Sequence, residues 1–496
     1  MENLYAMAGA VWQWMMANIF YINILLSIVI IFFQRRDTRA MWAWLLLLYF
    51  IPIAGFFLYL LIGENLNKSK MFRIKEVEDE INAAIKEQED VIFNNEFTDK
   101  FHMSDERLTE YKDLVLYNLE TGKAEYCENN EVRIFTDGDD KFAALLDAMR
   151  HAKKFIHLQY YIISKGELLD EIIGVLEEKA KQGVEVRILY DSLGSRKFGK
   201  KNLLRLKRAG IKTGEFFPAF LGIFQFRINY RNHRKIAVID GTTAFLGGFN
   251  IGDEYIDRVE KFGHWRDTHF EIKGEAVNGL HLRFLLDWNY ATGENLFKVT
   301  LTQYFNTKIR VQREKIGIQI VSSGPDSKRQ EIRDNYLRLI NKAKERIYIQ
   351  TPYFIPDDAV LQSLKIAALS GVDVRLMIPC KPDHPFVYWI TYSYAGDLLE
   401  SGARCYCFDD GFLHAKGMVV DGLVSCYGTA NMDVRSFELD FEVNAVIYSP
   451  EVSVELEKIF LNDLTRCSEI TKYDYERRAM GIRFREQISR LFAPLM

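Results

Sequence analysis

Residues 233–241 read HRKIAVIDG, and residues 414–422 read HAKGMVVDG. In each run a lysine stands two positions after a histidine, and an Asp-Gly pair follows at the same distance. The first run supplies His233, Lys235, Asp240 and Gly241; the second supplies His414, Lys416, Asp421 and Gly422. A second signature follows each at equal spacing, Gly247-Gly248-Phe249-Asn250 and Gly428-Thr429-Ala430-Asn431. In an extended strand, positions i and i+2 project from one face, so each motif sets an imidazole beside an ammonium group. The apolar residues between lysine and aspartate then continue as a buried strand. One such pattern is weak, because a lone histidine on a strand is commonly a core residue. Two copies in register are a strong signal.

The flanking chain repeats as well. The apolar run FIHLQYYII (155–163) has a partner in RIYIQTPYFI (346–355), and each follows a helical stretch ending in Ala-Lys. Each precedes a helical pattern and a second strand, VEVRILYD (184–191) or VDVRLMIPC (372–380), with a glycine break at Ala209-Gly210 or Ser401-Gly402. Strands alternating with helices at this spacing predict βαβ units on mostly parallel sheets. Two copies in the same order predict a duplicated α/β fold of two sandwich-like halves, placed at residues 131–305 and 306–496.

A chain of 496 residues with 48% apolar and 27% charged residues is long enough for such a duplication and too apolar to be disordered. Its formal net charge of −4 gives no sign of a nucleic-acid partner. The six cysteines, Cys127, Cys380, Cys405, Cys407, Cys426 and Cys467, lack zinc-type spacing and read as core thiols of a reducing compartment.

The first 65 residues differ from the rest. Residues 3–34 and 41–63 are uncharged and strongly apolar, each long enough for a membrane-crossing helix, with Trp12, Trp14, Trp42 and Trp44 near the segment ends. A transmembrane helical hairpin over 1–65 is the expectation, in a multi-pass protein of the cell membrane. The basic connector (Arg35, Arg36, Arg39) competes with Lys68, Lys70, Arg73 and Lys75 in setting orientation, and the unpaired cysteines favour a cytoplasmic catalytic part. Residues 66–130 read as an amphipathic helical linker, with Met71, Ile74, Val77, Ile81 and Ile85 at helical spacing.

The motif residues suit phosphoryl chemistry. A phosphodiester is an anion, so displacement at phosphorus needs cations on its oxygens; Lys235 and Lys416 supply charge, and Asn250 and Asn431 can add hydrogen bonds. One histidine can attack to give a covalent intermediate, and a second can protonate the departing alkoxide and later deprotonate the acceptor. His233, Lys235, Asp240, His414, Lys416 and Asp421 are therefore the candidate catalytic set. Aligning the strands after the motifs pairs Asp267 with Glu442, candidates to accept a hydrogen bond from the far nitrogen of each histidine. No metal-ligand cluster accompanies these residues, and the chemistry calls for neither metal nor cofactor.

The paired motifs resemble those of the phospholipase D superfamily, and within it the chain is similar to bacterial cardiolipin synthases over essentially its whole length. The resembling stretches are NHRKIAVIDG with GGFNIGDEY, HWRDTHFEIKGEAV, QTPYFIPD and GFLHAKGMVVDGLVSCYGTANMDVRSFELDFEVNAVIY. The resemblance implies transfer of a phosphatidyl group between two phosphatidylglycerol molecules, giving cardiolipin and glycerol at a lipid bilayer. It implies that His233 forms the phosphatidyl-enzyme and His414 serves as acid and base, with the reverse assignment open. Phosphatidylethanolamine as donor, lipid hydrolysis, phosphatidylserine synthesis and a non-catalytic lipid-binding scaffold are the competing readings; a nuclease fits the apolar amino terminus and balanced charge poorly.

Three further stretches carry two readings each. The aromatic residues 216–224 and 384–394 suit either an acyl-chain wall or core packing. The basic, apolar-spaced carboxy terminus YERRAMGIRFREQISRLFAPLM suits either an interfacial helix or a capping helix with a solvated basic face.

Overall fold

The computed structural model describes residues 2–33, 38–62, 105–218, 229–294, 315–327, 329–381 and 383–491, with residues 103, 296, 304 and 493 as isolated positions. The repeated apolar runs form the middles of two sheets. The first sheet orders its strands Asn130–Phe135, His269–Gly274, Thr243–Gly247, Ile236–Ile239, Phe155–Tyr160, Glu185–Asp191 and Lys212–Phe216. The second sheet fills the same places with Gly317–Ser323, Asp440–Tyr448, Val424–Gly428, Gly417–Val420, Arg346–Gln350, Asp373–Pro379 and Arg404–Phe408, and adds Tyr126–Cys127 and Cys467–Ile470 at its edges. The duplication expected from the repeats is present strand for strand.

The strand directions correct the expected mostly parallel sheets. Parallel pairing within the first sheet joins Phe155–Tyr160, Glu185–Asp191 and Lys212–Phe216, where helices supply the crossovers; its remaining pairs are antiparallel. The second sheet follows the same division. The reason lies in the Asp-Gly pairs. Asp240 and Gly241 have φ of 53° and 69°, and Asp421 and Gly422 have 54° and 64°, the left-handed conformations of a tight hairpin turn. A turn that short returns the chain antiparallel; a parallel return needs a crossover of a dozen residues or more.

The same turns move Asp240 and Asp421 out of the catalytic set. Asp240 accepts the backbone N–H groups of Lys153, Lys154 and Phe155 at 2.8, 2.7 and 3.0 Å. Asp421 accepts those of Lys344, Glu345 and Arg346 at 2.8, 2.9 and 2.8 Å. Each carboxylate clamps its hairpin to the start of the neighbouring central strand, at the opposite end of the motif strand from the histidine. Asp240→Ala is expected to destabilise the fold by about 2–4 kcal/mol, from several charge-assisted bonds lost together. The specific activity of the folded fraction should hold, a combination that denaturant unfolding and turnover on one sample would measure.

Period-2 burial divides each motif strand between two cores. Ala237 and Ile239 join a cluster under the helices Gly138–His151 and Glu167–Lys181, through Leu145, Met149, Ile172 and Leu176. Ile236 and Val238 face the other way, into a cluster that spans both halves and includes Phe270, Ile272, Trp288, Val443, Ala445 and Ile447. Each such buried valine, leucine, isoleucine, methionine or phenylalanine contributes about 1.5–3 kcal/mol, and the shared cluster makes the two halves one body. Phe216 and Phe217 are buried in it against Tyr290 and Phe441, so the start of the aromatic stretch is core; residues 219–228 lie outside the described residues.

Two very short ladders stitch the halves together. Arg231–Asn232 runs parallel to Asp440–Phe441, and Phe412–Leu413 runs parallel to Trp265–Arg266. The backbone N–H of His233 then donates to the carbonyl of Phe441 at 3.0 Å, and that of His414 to Arg266 at 2.7 Å.

At the amino terminus the expected hairpin of two spanning helices is not shown. The first apolar segment holds the helices Glu2–Ala17 and Ile19–Phe33, joined by backbone bonds of Asn18 to Trp14 at 3.1 Å and of Ile22 to Asn18 at 3.0 Å, and the second holds Thr38–Phe50 and Pro52–Ile62 on either side of Ile51. Among the described residues no helix is long and apolar enough to cross a membrane. Pro52 has no N–H to give the carbonyl of Leu48. Buried Asn23 repairs that loss from the neighbouring helix, donating to Leu48 O at 3.0 Å and to Pro52 O at 2.9 Å. Ile30, Trp44, Leu48 and Tyr59 pack the helices together, while Phe20, Tyr21, Phe32, Trp42 and Tyr49 are exposed. Residues 34–37 of the connector and 63–102 of the linker lie outside the described residues; the helix Lys112–Gly122 packs on the second half through Leu114, Val115 and Leu119.

Candidate active site

The short ladders decide where the imidazoles go. Because Phe441 holds His233 and Arg266 holds His414, each histidine meets the carboxylate of the opposite half. His233 Nδ1 donates to Glu442 Oε1 at 2.8 Å, and His414 Nδ1 donates to Asp267 Oδ2 at 2.6 Å. The two rings line one cavity of about 350 Å³, together with Asn250 and Asn431, the aromatic rings of Tyr161, Tyr255, Trp265 and Tyr353, and the charged groups of Arg435 and Asp440. Lys235 Nζ donates to the carbonyl of His233 at 2.6 Å, and Lys416 Nζ donates to that of His414. Lys416 also lies 3.9 Å from Asp267. Asn250 accepts from the backbone of Ile162 at 3.0 Å and donates to Tyr255 at 3.3 Å; Asn431 has a side-chain oxygen with no hydrogen bond. Every candidate except Asp240 and Asp421 is thus gathered at or just beneath this cavity.

Burial dominates the electrostatics. It pushes His233 well below the ordinary histidine range, with the nearby Lys235, Lys416 and Arg435 adding to the effect. His414 is lowered to about 4 by burial and then by Lys416. Burial lowers Lys235 to about 7 and Lys416 to about 8 despite their carboxylate neighbours. The two carboxylates diverge. Glu442 is raised to about 7 by burial, against the opposing pull of Lys235 and its bonds from Thr429 (2.5 Å) and Ser436 (3.0 Å). Burial pushes Asp267 up as well, but Lys416 and His414 outweigh it and hold the group below its usual range.

Two lysines lowered toward neutrality make a site that gains protons when an anion enters. At pH 8 a bound phosphodiester restores the ammonium forms and raises both pKa values toward those of exposed lysine. Binding of a non-hydrolysable phosphonate lipid is expected to take up more protons at pH 8, where the lysines add theirs, than at pH 6, and its affinity should fall as pH rises from 7 to 9. Titration calorimetry in buffers of different ionisation enthalpy would measure both.

The family model described as "Cardiolipin synthase, PLD-like domain" matches residues 145–263 and 336–464, and that described as "Phospholipase_D-nuclease N-terminal" matches residues 22–64. The chain is 47% identical over 478 residues to a cardiolipin synthase of Oceanobacillus iheyensis, covering 96% of this chain and 98% of that one. The chain belongs to the cardiolipin synthase family. A second relative in the family, cardiolipin synthase 2 of Staphylococcus epidermidis, is 45% identical over 484 residues, covering 97% of this chain and 98% of its own. Among solved structures the fold is similar to a phosphatidylserine synthase of Haemophilus influenzae, with a TM-score of 0.58 and 15% identity over 77% of this chain and 99% of that one.

Several residues that shape the site in this member of the family escape motif reading. Beneath each histidine lies a buried polar network. Gln159 donates to Asp287 at 2.6 Å, and Gln350 donates to Asp463 at 2.9 Å. Arg234 fills the first network, bonding Asp287 at 2.7 and 2.6 Å; Arg266, from the opposite half, fills the second at 2.9 Å from Asp463. The paired glutamines were visible within the repeated strands. The arginines were not, because they occupy non-equivalent positions. Thr429 and Ser436, which bond Glu442, likewise have no marker beyond their nearness to the second motif.

Proposed function

We propose that this membrane-associated enzyme is a phosphatidyltransferase that joins two phosphatidylglycerol molecules into cardiolipin and glycerol by way of a phosphohistidine. The observation that carries the reading is the pair of crossed dyads: two imidazoles facing one cavity, each oriented by a carboxylate through Nδ1, which leaves Nε2 as the reacting nitrogen on both. His233 Nε2 attacks phosphorus, the bond to the glycerol headgroup breaks, and His414, whose pKa of about 4 the bound phosphodiester anion raises so that it carries a proton on each nitrogen, hands that oxygen the proton of Nε2. His414 then takes the proton of the second lipid's hydroxyl, whose oxygen displaces Nε2 and regenerates the enzyme. Lys235, Lys416, Asn250 and Asn431 bind the phosphoryl oxygens. One phosphodiester replaces another, so no nucleotide drives the step.

Two unpartnered acceptors favour a hydroxyl-bearing headgroup. Asp440 Oδ1 and Asn431 Oδ1 are buried beside the cavity without hydrogen bonds among the described residues, and a phosphodiester anion has no donor to give them. The hydroxyls of glycerol do. The apolar, exposed exterior of the amino-terminal helices supports attachment to the bilayer, with a multi-pass anchor and a cytoplasmic catalytic part as the finer reading.

The test is the product. Purified full-length protein given labelled phosphatidylglycerol in vesicles is expected to yield cardiolipin and free glycerol in equal amounts. Phosphatidic acid as the main product would make it a hydrolase, and cardiolipin only with added phosphatidylethanolamine would move the donor to that lipid.

A further inference from the structure

The carboxy-terminal helix Met480–Leu491 is turned inside out relative to an ordinary surface helix. Its inward face is polar: Glu486 is fully buried and receives Nε and Nη2 of Arg478 at 2.7 Å each, and Ser489 is buried beside it. Its outward face is apolar, with Met480, Phe484, Ile488 and Leu491 exposed by 83%, 69%, 40% and 68%. These four lie three or four residues apart, so they form one stripe along the helix. A stripe of large apolar side chains held out by a buried ion pair is unlike the scattered apolar residues of a normal surface. Arg477, Arg483 and Arg485 are exposed at its borders.

The stripe stands beside the catalytic cavity. The helix packs on Pro385–Leu399, where Arg490 pairs with Asp397 at 2.5 Å and donates to Ser393 at 3.2 Å, and Arg485 lies 5.7 Å over the ring of Trp389. Val387 of that second helix lines the cavity, and so does Ala493, two residues beyond the end of the first.

We propose that this face is the surface on which the catalytic part rests on an anionic bilayer, with the apolar stripe entering the acyl boundary and the bordering arginines meeting lipid phosphates. The proposal rests on the lipid-transfer reading of the cavity. A lipid substrate keeps its acyl chains in the membrane while its phosphodiester reaches the two histidines, so the cavity mouth must lie at the membrane plane. A second copy of the chain fits the same face poorly. A two-fold contact through the stripe sets the bordering arginines of one copy near those of the other, whereas anionic headgroups neutralise them.

The test compares full-length protein with the double variant Phe484→Glu, Ile488→Glu on two substrates: long-chain phosphatidylglycerol in vesicles, and a short-chain, monomeric phosphatidylglycerol that needs no membrane. The variant is expected to lose at least tenfold in kcat/KM on vesicles and to stay within twofold of the parent on the monomeric lipid, and Phe484→Leu should restore vesicle activity. Equal loss on both substrates, or no loss on either, overturns the docking surface. So does a change in oligomeric state by sedimentation with vesicle kinetics unaltered, which would give the face to a second copy. If the parent makes cardiolipin from neither substrate, the transfer reading itself fails. Quenching of a Phe484→Trp variant by brominated phosphatidylglycerol, relative to the parent, then still decides docking: added quenching supports it and none overturns it.

Discussion

Asparagine at either His233 or His414 is expected to slow cardiolipin formation by about 10⁴-fold or more, and the double variant should be little worse than either single one. The two rings line one cavity, and in the proposed exchange both act on one phosphorus, so removing one leaves the other nothing to complete. The singles separate when the leaving group changes. With a phosphatidyl ester of p-nitrophenol the departing oxygen needs no proton, so His414→Asn should still release one equivalent of p-nitrophenol in a burst and retain the lipid on His233. His233→Asn should give no burst. The opposite pattern would exchange the two roles. Full turnover in either variant would remove the covalent mechanism.

The second large effect concerns the crossed carboxylates. Glu442→Gln and Asp267→Asn keep shape and hydrogen-bonding capacity but lose the acceptor that fixes the tautomer of His233 and of His414, and each is expected to cost about 10³-fold in kcat. Their pH profiles should differ. Glu442 is raised to about 7 by burial, so acid protonates it and withdraws the anion from His233; Asp267 sits below its usual range because Lys416 and His414 outweigh its burial. The parent should therefore lose kcat/KM as pH falls below about 7. That limb should persist in Asp267→Asn and vanish in Glu442→Gln. Stability should move the other way. A carboxyl group whose folded pKa is raised contributes stability at low pH and loses it as pH rises through the folded value, so Glu442→Gln should gain stability over the parent at pH 8 and show no gain near pH 4. An acid limb unchanged in Glu442→Gln would show that another group carries it.

The legible part of this fold was whatever repeats at fixed spacing. His233 and His414, their lysines, their asparagines and the strands that carry them could be found by register alone, and the position of Asp267 against Glu442 followed from aligning the strands behind the motifs. Which histidine meets which carboxylate was not legible. It depends on Arg231–Asn232 and Phe412–Leu413, two-residue strands with no period to detect, and it joins residues 209 and 147 positions apart. The strand directions could have been read correctly. Asp-Gly after an apolar run is a hairpin signal, and it competes with the helix-strand alternation before it. Asp240 and Asp421 are ambiguous for the same reason, since by spacing alone an aspartate that clamps a turn and an aspartate with a chemical role read alike. In the amino-terminal segments the hydropathy pattern speaks only of apolar length, while Pro52 and the bonds of Asn23 mark the junction within the second of them.

The exchange of carboxylates between halves has a historical consequence. A protein of one half alone would carry an imidazole with no orienting anion and an anion with no imidazole to orient. Any single-copy forebear of this architecture had to work as a symmetric pair, each subunit completing the other, before its gene was joined to itself. Within one chain the two copies need not be identical, and here one orienting anion is a glutamate, Glu442, and the other an aspartate, Asp267.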